Sequence, residues 1–265
     1  MPSRWTKEEE SKKRKELLAL YIKENKTIGE ISKILNIGQS TVFDRLLRLN
    51  IKSQPSKKKY YKNRKYYVNI PKRKSNKLAE FIGIMLGDGH ISHFQITVTL
   101  GTKECEYVKY VSNLMNEVFK TQSKITIRKC GYKTVYVGST EVVKWLESMG
   151  LVNNKVKSQV DIPDWILEKD CFMKNVLRGL IDTDGTIYKL RFGVQIMFCN
   201  RSMFLLNGVR SIFVKLGYHP SKISGFQVYL TRRQEVLKFI KEIGFHNSKH
   251  KKRCSKFLKK YGYVV

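Results

Sequence analysis

The sequence predicts an α+β protein in which a small all-α module precedes two pseudo-symmetric halves. Three observations support this fold class: a capped pair of short helices near the N-terminus, a strongly basic stretch after it, and an internal repeat over most of the remaining chain. The repeat carries the most weight, because a helix, strands and further helices recur in the same order at nearly constant spacing.

Composition limits the function classes before any motif is considered. The 265 residues carry 52 Lys+Arg against 22 Asp+Glu, a formal net charge of +30. Such an excess predicts a polyanionic partner, with nucleic acid first and an anionic membrane second. No apolar run approaches the roughly 20 residues of a spanning helix, and the acidic N-terminal segment resembles no targeting signal. Five widely spaced cysteines predict a reducing intracellular compartment.

Residues 1–50 are predicted to form a helix-turn-helix domain. Its first helix spans residues 7–24, and the helix-turn-helix itself follows. Thr27 and Glu30 have the spacing of a capping box, Gly38 is expected to supply a positive φ in the turn, and Ser40 to cap the next helix. The apolar positions expected to face inward are Ile28, Ile31, Ile34, Leu35, Val42, Leu46, Leu47 and Leu49. The exposed face of the last helix would contact a DNA major groove through Gln39, Thr41, Arg45 and Arg48. A module that docks on the rest of the protein has the same pattern.

Residues 51–77 are predicted to be a basic linker. From residue 50 to residue 77 the chain has eleven lysines and arginines and no acidic residue, with tyrosines between the charges. Such a segment can follow DNA phosphates, or it can serve as a solvated tether.

The internal repeat defines two halves, residues 78–160 and 161–265. The segment 81–89 recurs at 177–185, Ser123-Lys124-Ile125 recurs at 221–223, and 141–145 recurs at 235–239. Each half is predicted as helix, strand, strand, helix, strand, strand, helix. Gly83 and Gly179 occupy the same place in the repeated helix, which indicates two helices that pack closely on each other.

Both repeated helices end in an aspartate followed by a glycine, Asp88-Gly89 and Asp184-Gly185. Each glycine is expected to end its helix in a left-handed conformation. An acid is unfavourable at a helix C-terminus, where carbonyl groups already concentrate negative charge. A divalent cation reverses this penalty, so the paired carboxylates predict an oxygen-ligand site for Mg²⁺.

Residues 78–89 and 174–185 resemble the two motifs of the LAGLIDADG homing endonucleases, and the resemblance extends over about residues 76–255. It implies two αββαββα halves whose four-stranded sheets form a saddle on double-stranded DNA. The implied activity is metal-dependent cleavage of both strands across a minor groove. The implied ligands of Mg²⁺, or of Mn²⁺ or Ca²⁺ in its place, are Asp88, Asp184 and the carbonyls of Gly87 and Thr183.

The resemblance also implies basic catalytic residues at the end of the second strand in each half. Lys103 matches in the first half, and Asn200 with Arg201 in the second. Arginine does not readily release a proton, so Arg201 is expected to stabilise phosphate charge rather than act as a base. Asp182 is expected to be structural.

Alternation along the predicted strands assigns a polar face to DNA and an apolar face, including Ile125 and Ile127, to the core. The polar positions of the first half are His93, Gln95, Thr97, Lys124, Thr126, Arg128, Thr134 and Tyr136. Those of the second half are Lys189, Arg191, Lys222, Ser224, Gln227, Tyr229 and Thr231. Because the two halves differ at these positions, a monomer acting on a non-palindromic site, without an obligate protein partner, is expected.

Two other functions remain open on the same fold, an RNA-binding intron maturase and a DNA-binding transcription regulator. Retention of both Asp88 and Asp184 argues against the regulator, which needs no metal ligands. Known regulators of this fold also carry their helix-turn-helix after the repeated part, whereas here it comes first. A zinc site at His246, His250 and Cys254 is disfavoured, because the surrounding residues are strongly basic.

Overall fold

A computed structural model describes residues 6–24, 26–51, 68–191 and 193–260. The chain divides into two compact units, Met1–Arg64 and Lys65–Val265. The division falls inside the predicted basic linker, of which residues 52–67 lie outside the described part of the chain.

In the residues that the structure describes, the first unit has three α-helices around a small apolar core. They are α1 (Lys7–Leu18), α2 (Ile28–Leu35) and α3 (Gln39–Arg48), and a π-helical turn at Ala19–Lys23 extends α1. The buried core residues are Leu17, Ile31, Val42, Leu46, Leu49 and Ile51. Two positions predicted to face inward are instead exposed, Ile34 by 51% and Leu47 by 64%. Three short helices bury a narrower stripe than the apolar pattern suggests.

The turn between α2 and α3 differs in detail from the prediction. The capping box is confirmed, since Thr27 N–H donates to Glu30 Oε2 at 2.8 Å and Glu30 N–H donates to Thr27 Oγ1 at 3.3 Å. The positive φ belongs to Asn36 (49°) rather than to Gly38, and α3 begins at Gln39, before Ser40 could cap it. The short asparagine side chain tolerates this left-handed conformation.

The second unit begins, in the described residues, with a segment that packs on the protein. Val68 is buried in the main core, and Asn69 N–H donates to the Phe119 carbonyl at 2.8 Å. Lys74 Nζ lies 2.6 Å from Glu168 Oε1. Residues 68–75 therefore form part of the second unit.

The first half of this unit places three helices on a four-stranded antiparallel sheet with the order β1-β2-β4-β3. The helices are α4 (Asn76–Leu86), α5 (Cys105–Phe119) and α6 (Thr140–Ser148). The strands are β1 (Gly89–Ile91), β2 (Gln95–Leu100), β3 (Lys124–Ile127) and β4 (Lys133–Gly138). The prediction that Ile125 and Ile127 are buried is wrong, with exposures of 47% and 67%. They lie on the edge strand β3, where both faces reach solvent.

The second half repeats the order with a smaller sheet and an added helix. After a 3₁₀ turn at Asp164–Glu168, its helices are α7 (Asp170–Asp184), α8 (Met203–Lys215), α9 (Arg233–Glu242) and α10 (Ser248–Lys260). The strands β5 (Gly185–Leu190), β6 (Gly193–Cys199) and β7 (Gln227–Leu230) pair in that order. Where the resemblance implied a fourth strand, the described residues form one bridge, Ser224 to Gln227. The chain reverses at once through Gly225 and Phe226, which both have positive φ.

The central feature of the second unit is the close crossing of α4 and α7. A β-carbon on Gly83 would lie 3.1 Å from Leu180 N and would overlap the Val176 carbonyl oxygen. A β-carbon on Gly179 would lie 2.8 Å from Ile84 N. The predicted close packing of the repeated helices is confirmed, and it brings backbone against backbone.

The glycines after the two aspartates serve a different purpose from the one expected. Neither Gly89 nor Gly185 has a positive φ, because each begins a β-strand immediately. A β-carbon on Gly89 would lie 2.5 Å from Met85 Cα, and one on Gly185 would lie 2.6 Å from Ile181 Cα. The turn from helix into strand is too tight for a side chain.

Residues from both halves share one hydrophobic core that includes the inner faces of α4 and α7. None of the helices in the described residues combines the length and the apolar character that a bilayer-spanning helix needs.

Candidate active site

Two partly buried carboxylates lie where the central helices end. Asp88 follows Gly87, the C-terminal cap of α4, and Asp184 is the last residue of α7. A β-carbon on Gly87 would lie 2.8 Å from Thr183 Cβ and 3.5 Å from the Asp184 carboxyl carbon. The helix crossing therefore brings the two repeated aspartates to one place.

Burial and mutual repulsion make both carboxylates hard to ionise. Burial raises the pKa of Asp88 to about 7, and the negative charges of Asp184 and Glu104 act in the same direction. Burial also raises the pKa of Asp184. Lys155 and Lys249 oppose the shift at Asp88. A bound cation beside these carboxylates would therefore favour their ionised forms.

Asn200 fixes the orientation of Asp184. Its Nδ2 donates to Asp184 Oδ2 at 2.7 Å, and its Oδ1 accepts a hydrogen bond from Ser202 N–H at 2.8 Å. The second contact orients the amide, so its donor side points at the carboxylate. Of the basic or polar residues expected at the strand ends, Asn200 is the one for which the structure gives a direct contact with an aspartate.

Lys155 is a site residue that sequence reasoning missed. Its Nζ donates to the carbonyls of Met85 at 3.2 Å, of Leu86 at 3.0 Å and of Gly87. Burial lowers the pKa of this ammonium group, while Asp184 and Asp88 raise it. A cation thus lies among the carbonyls at the end of α4 and beside both carboxylates.

The repeat contains the signal that would have found this lysine. Gly150 and Lys155 recur as Gly244 and Lys249 at an offset of 94, with an asparagine three residues after each glycine. Both glycines have positive φ, 84° and 64°, and reverse the chain after α6 and α9. Lys249 Nζ lies 3.9 Å from Glu104 Oε1, and its charge lowers the pKa of Asp88. The two lysines are therefore related by the pseudo-symmetry of the halves.

The site's donor set fits a divalent cation that prefers oxygen ligands. Three backbone carbonyls converge on one ammonium group at the end of α4, and the carboxylates of Asp88 and Asp184 lie close enough to that ammonium group to raise its pKa. Carboxylates and carbonyls are the ligands of Mg²⁺, Mn²⁺ and Ca²⁺. The Thr183 hydroxyl is not among the donors, because it bonds to the Gly179 and Leu180 carbonyls.

A second acidic cluster lies deeper, between α4, α7 and the turn before α10. Ligand atoms of Glu80, Asp182 and His246 all lie within 4.8 Å of one another. Glu80 bonds to His246 Nδ1 at 2.5 Å and to Tyr110 OH at 2.8 Å, and it pairs with Arg178 at 3.5 Å. Because Arg178 already supplies positive charge, this cluster is structural.

Asp182 holds the chain segment that carries Lys249. Its Oδ2 accepts a hydrogen bond from His246 N–H at 2.7 Å, and its carbonyl accepts one from Asn247 Nδ2 at 3.0 Å. Asn247 also donates to Glu104 Oε1 at 2.8 Å. Asp182 therefore positions the turn before α10, in keeping with the structural role expected for it.

Lys103 and Arg201 lie exposed in the bends that follow β2 and β6. They occupy corresponding places in the two halves. No hydrogen bond described for the structure joins either side chain to an aspartate, in contrast to Asn200.

The strand register groups the predicted polar residues of the first sheet on one face. Thr97 pairs with Tyr136 and with His90, and Thr134 pairs with Thr99 and with Thr126. Gln95 and Lys124 lie on this same face of the sheet. His93 lies in the turn before β2, and Arg128 follows β3. His90 and Thr99 were missed. Thr97 and Thr134 are themselves buried, packed among the larger side chains of that face.

The outward face of the second sheet differs more from the prediction. Gln227 and Tyr229 lie on it, and Thr231 follows β7. Ser224 bonds to Gln227 through its backbone, and Lys222 is exposed nearby. Lys189 and Arg191 follow the buried Ile187 at intervals of two residues, so they belong to the inward face of the sheet rather than to its outward face. Both lie at the exposed end of β5. The missed outward residues, paired across β5, β6 and β7, are Thr186, Tyr188, Gln195 and Met197.

In the first unit, the four residues predicted to read DNA lie on α3. Gln39, Thr41 and Arg48 are exposed, and Arg45 is partly exposed. The opposite side of α3 supplies Val42 and Leu46 to the core. The helix therefore has one buried face, and its exposed side carries the apolar Phe43 and Leu47 as well as these polar residues.

Two family models match the second unit. A model described as the WhiA LAGLIDADG-like domain matches residues 77–160, and one described as a LAGLIDADG-like domain matches residues 172–244. The two matches coincide with the two halves of the repeat.

Curated relatives match over a small part of their own length. The replication factor C small subunit of Methanocaldococcus jannaschii is 25% identical over 191 residues, 70% of this chain and 10% of the relative. An A-type ATP synthase subunit of Pyrococcus abyssi is 24% identical over 166 residues, 61% of this chain and 16% of the relative. The chain thus spans a sixth or less of these proteins.

Similar solved structures include a homing endonuclease and a WhiA protein. I-DmoI in complex with DNA and Mn is 18% identical, with a TM-score of 0.46 over 64% of this chain and 96% of that one. Full-length DUF199/WhiA from Thermatoga maritima is 14% identical, with a TM-score of 0.47 over 74% of this chain and 64% of that one.

Proposed function

The chain belongs to the LAGLIDADG family, and from that membership we propose that it is a site-specific endonuclease that cuts both strands of a long, non-palindromic DNA target. The observation that carries the proposal is the pair of aspartates, Asp88 and Asp184, at the meeting point of α4 and α7. Two adjacent carboxylates taken out of water are costly to the fold, which is typical of a functional site.

Asp88 and Asp184 would hold Mg²⁺, or Mn²⁺ or Ca²⁺ in its place, together with the carbonyls of Gly87 and Thr183. The Lys155 ammonium group, which donates to the Gly87 carbonyl, would have to withdraw from that carbonyl when the cation binds. Bound there, the cation supplies Lewis-acid stabilisation of the charge on the scissile phosphate. The other tasks fall to the chain's own side chains.

Of the neighbouring polar and basic residues, one orients a carboxylate and the others neutralise phosphate charge. Asn200 orients Asp184 through the 2.7 Å hydrogen bond. Lys155 and Lys249, one from each half, present ammonium groups beside the carboxylates and offset phosphate charge as DNA enters. Lys103 and Arg201, exposed after β2 and β6, are proposed as the basic catalytic residues, and Arg201 stabilises phosphate charge without acting as a base.

The outward faces of the two sheets would bind the duplex on either side of this centre. The first face presents threonines, Gln95, Tyr136 and Lys124, and the second presents Tyr188, Gln195 and Tyr229. Hydroxyl and amide groups of this kind can bond to base edges. Since the two faces differ, one chain suffices for a target without a two-fold axis, and the protein acts as a monomer.

The first unit would add contacts outside the catalytic centre. The polar face of α3, with Gln39, Thr41, Arg45 and Arg48, suits a major groove. Its contribution is to affinity and target length rather than to cleavage.

A DNA-binding regulator is the second candidate, and the match of residues 77–160 to the WhiA-type model favours it. Both candidates bind DNA, so binding does not separate them. A regulator has no use for two adjacent carboxylates beside a cluster of carbonyls, and this difference supports the nuclease.

The test starts from duplexes that the full-length protein retains from a randomised library in Ca²⁺. These duplexes are then incubated with Mg²⁺ and with wild-type protein, Asp88→Asn, Asp184→Asn or Asp182→Asn. The wild type should cut both strands, and the first two variants should bind but lose cleavage.

Asp182→Asn is the matched control, because its amide can still accept the hydrogen bond from His246 N–H and it should cut normally. Cleavage by Asp88→Asn would overturn the assignment of the site. Selected duplexes that the wild type binds but leaves intact with Mg²⁺ and Mn²⁺ would identify a regulator instead.

A further inference from the structure

An open groove of about 530 Å³ lies beside β5, away from the two aspartates. One wall is the edge strand β5, with Thr186, Tyr188 and Lys189, and the other is α10, with Arg253, Lys256 and Phe257. In the described residues β5 pairs on one side only, with β6. The helix therefore lies along the edge of the second sheet.

The groove is strongly basic. Helix α10 contains seven lysines and arginines and no acidic residue over residues 248–260, and its charged residues surround an inward stripe of His250, Cys254 and Leu258. Three of the groove residues named above are basic and none is acidic. Arg253 Nη1 donates to Thr186 Oγ1 at 2.7 Å, which ties the helix to the strand.

We propose that α10 and the edge of β5 together bind the phosphate backbone of duplex DNA outside the catalytic centre, on the side of the second half. The inference rests on the proposed function, since it extends the DNA interface of the same protein. An anionic membrane is a poorer partner, because the apolar stripe of α10 is already buried against the protein.

The position of α10 sets the distance from the cut. Lys249, at its N-terminal end, lies close enough to Asp88 to lower the pKa of that carboxyl. Lys256 follows seven residues later, about 10 Å along a helix that rises 1.5 Å per residue. At 3.4 Å per base pair, a helix that followed the duplex axis would carry the contact about three base pairs beyond Lys249.

The first half has no counterpart of this helix. After Lys155 the chain forms a turn and an extended segment before the 3₁₀ turn at Asp164–Glu168, whereas after Lys249 it continues as α10. A backbone contact at α10 therefore makes the footprint of the second unit asymmetric about the cleavage site.

The experiment compares two charge reversals on one helix, Lys256→Glu and Lys251→Glu. Both lysines are exposed, but Lys251 lies five residues earlier, about 140° around the helix, and does not line the groove. The probe is a 40-base-pair duplex retained by the full-length protein in Ca²⁺. The readouts are affinity as a function of salt and hydroxyl-radical protection, with a thermal melt of each variant to verify folding.

Lys256→Glu should bind more weakly than Lys251→Glu, and the slope of log K against log salt should flatten by about 0.9 for the lost phosphate contact. Protection should disappear about three base pairs from the cut, on one side only. Equal affinity, slope and footprint in the two variants would overturn the inference. Because these readouts need no cleavage, a failure of nuclease activity remains distinguishable from a failure of this contact.

Discussion

Replacing Gly179 by alanine tests the close packing of the central helices. The added β-carbon would lie 2.8 Å from Ile84 N and 3.1 Å from the Gly83 carbonyl carbon, whereas ordinary contacts begin near 3.4 Å. All the nearest atoms belong to the backbone, so no side chain can turn away. The β-carbon would also overlap the Glu80 carbonyl oxygen, so the helices must separate by more than the roughly 0.6 Å that Ile84 N alone requires.

The cost follows from two opposing effects. Overpacking a tight core costs about 1–3 kcal/mol, and the upper end applies where only backbone can yield. In the opposite direction, alanine is more favourable than glycine inside a helix by about 1 kcal/mol. The net loss is about 2 kcal/mol, or a fall of about 4–8 °C in Tm for a unit of this size.

The cleavage rate should be more sensitive to this substitution than the free energy of unfolding, because the same displacement separates Asp88 from Asp184. A misplacement near 1 Å can cost about a hundredfold in rate, so we expect a loss of at least about tenfold in single-turnover cleavage well below the Tm. Circular dichroism melts and cleavage time courses on one preparation measure the two effects. Gly29→Ala is the control, since its β-carbon would meet Gln39 Nε2 at an ordinary 3.5 Å. Wild-type Tm and rate in Gly179→Ala would refute the packing argument.

Three further predictions concern the carboxylates and the first unit. Asp88 has a pKa of about 7 in the folded protein but of about 3.8 when unfolded. As the pH rises from about 4 to about 7, the unfolded state therefore loses this proton more readily than the folded state, and the free energy of unfolding falls. Melts in EDTA should show Asp88→Asn gaining stability relative to wild type from pH 4 to 7, and a pH-independent difference would contradict this. Asn200→Ala should slow cleavage of one strand more than the other, measured by nicked intermediates on end-labelled duplex; equal slowing would remove its orienting role. Deleting residues 1–64, which leaves the buried Val68 in place, should shorten the footprint and keep the cut position; an unchanged footprint would mean that α3 does not contact DNA.

Sequence periodicity was sufficient for the central helices and for the first sheet. The repeat placed Gly83 opposite α7 and brought Asp88 and Asp184 together, since equivalent residues of a pseudo-dimer meet at its axis. Alternation placed Thr97 and Tyr136 on one face, as the strand register has them. These features depend on spacing alone, which a sequence displays directly.

Other features depend on neighbours that spacing does not reveal. Ile125 and Ile127 alternate correctly but lie on an edge strand, where alternation no longer implies burial. Gly89 and Gly185 looked like left-handed helix ends, yet the left-handed glycines common to both halves are Gly150 and Gly244. Those two turns carry Lys155 and Lys249 to the site, and the motif around them is short enough to be missed without the fold.

The crossing of α4 and α7 also bears on how such a protein can diverge. The atoms that meet at Gly83 and Gly179 are carbonyl oxygens and amide nitrogens, which every sequence supplies. Recognition between the halves at this point therefore depends on the absence of side chains rather than on their identity. Substitutions elsewhere in either half leave the atoms that meet at these two glycines unchanged, and the polar faces can evolve separately while this crossing is preserved.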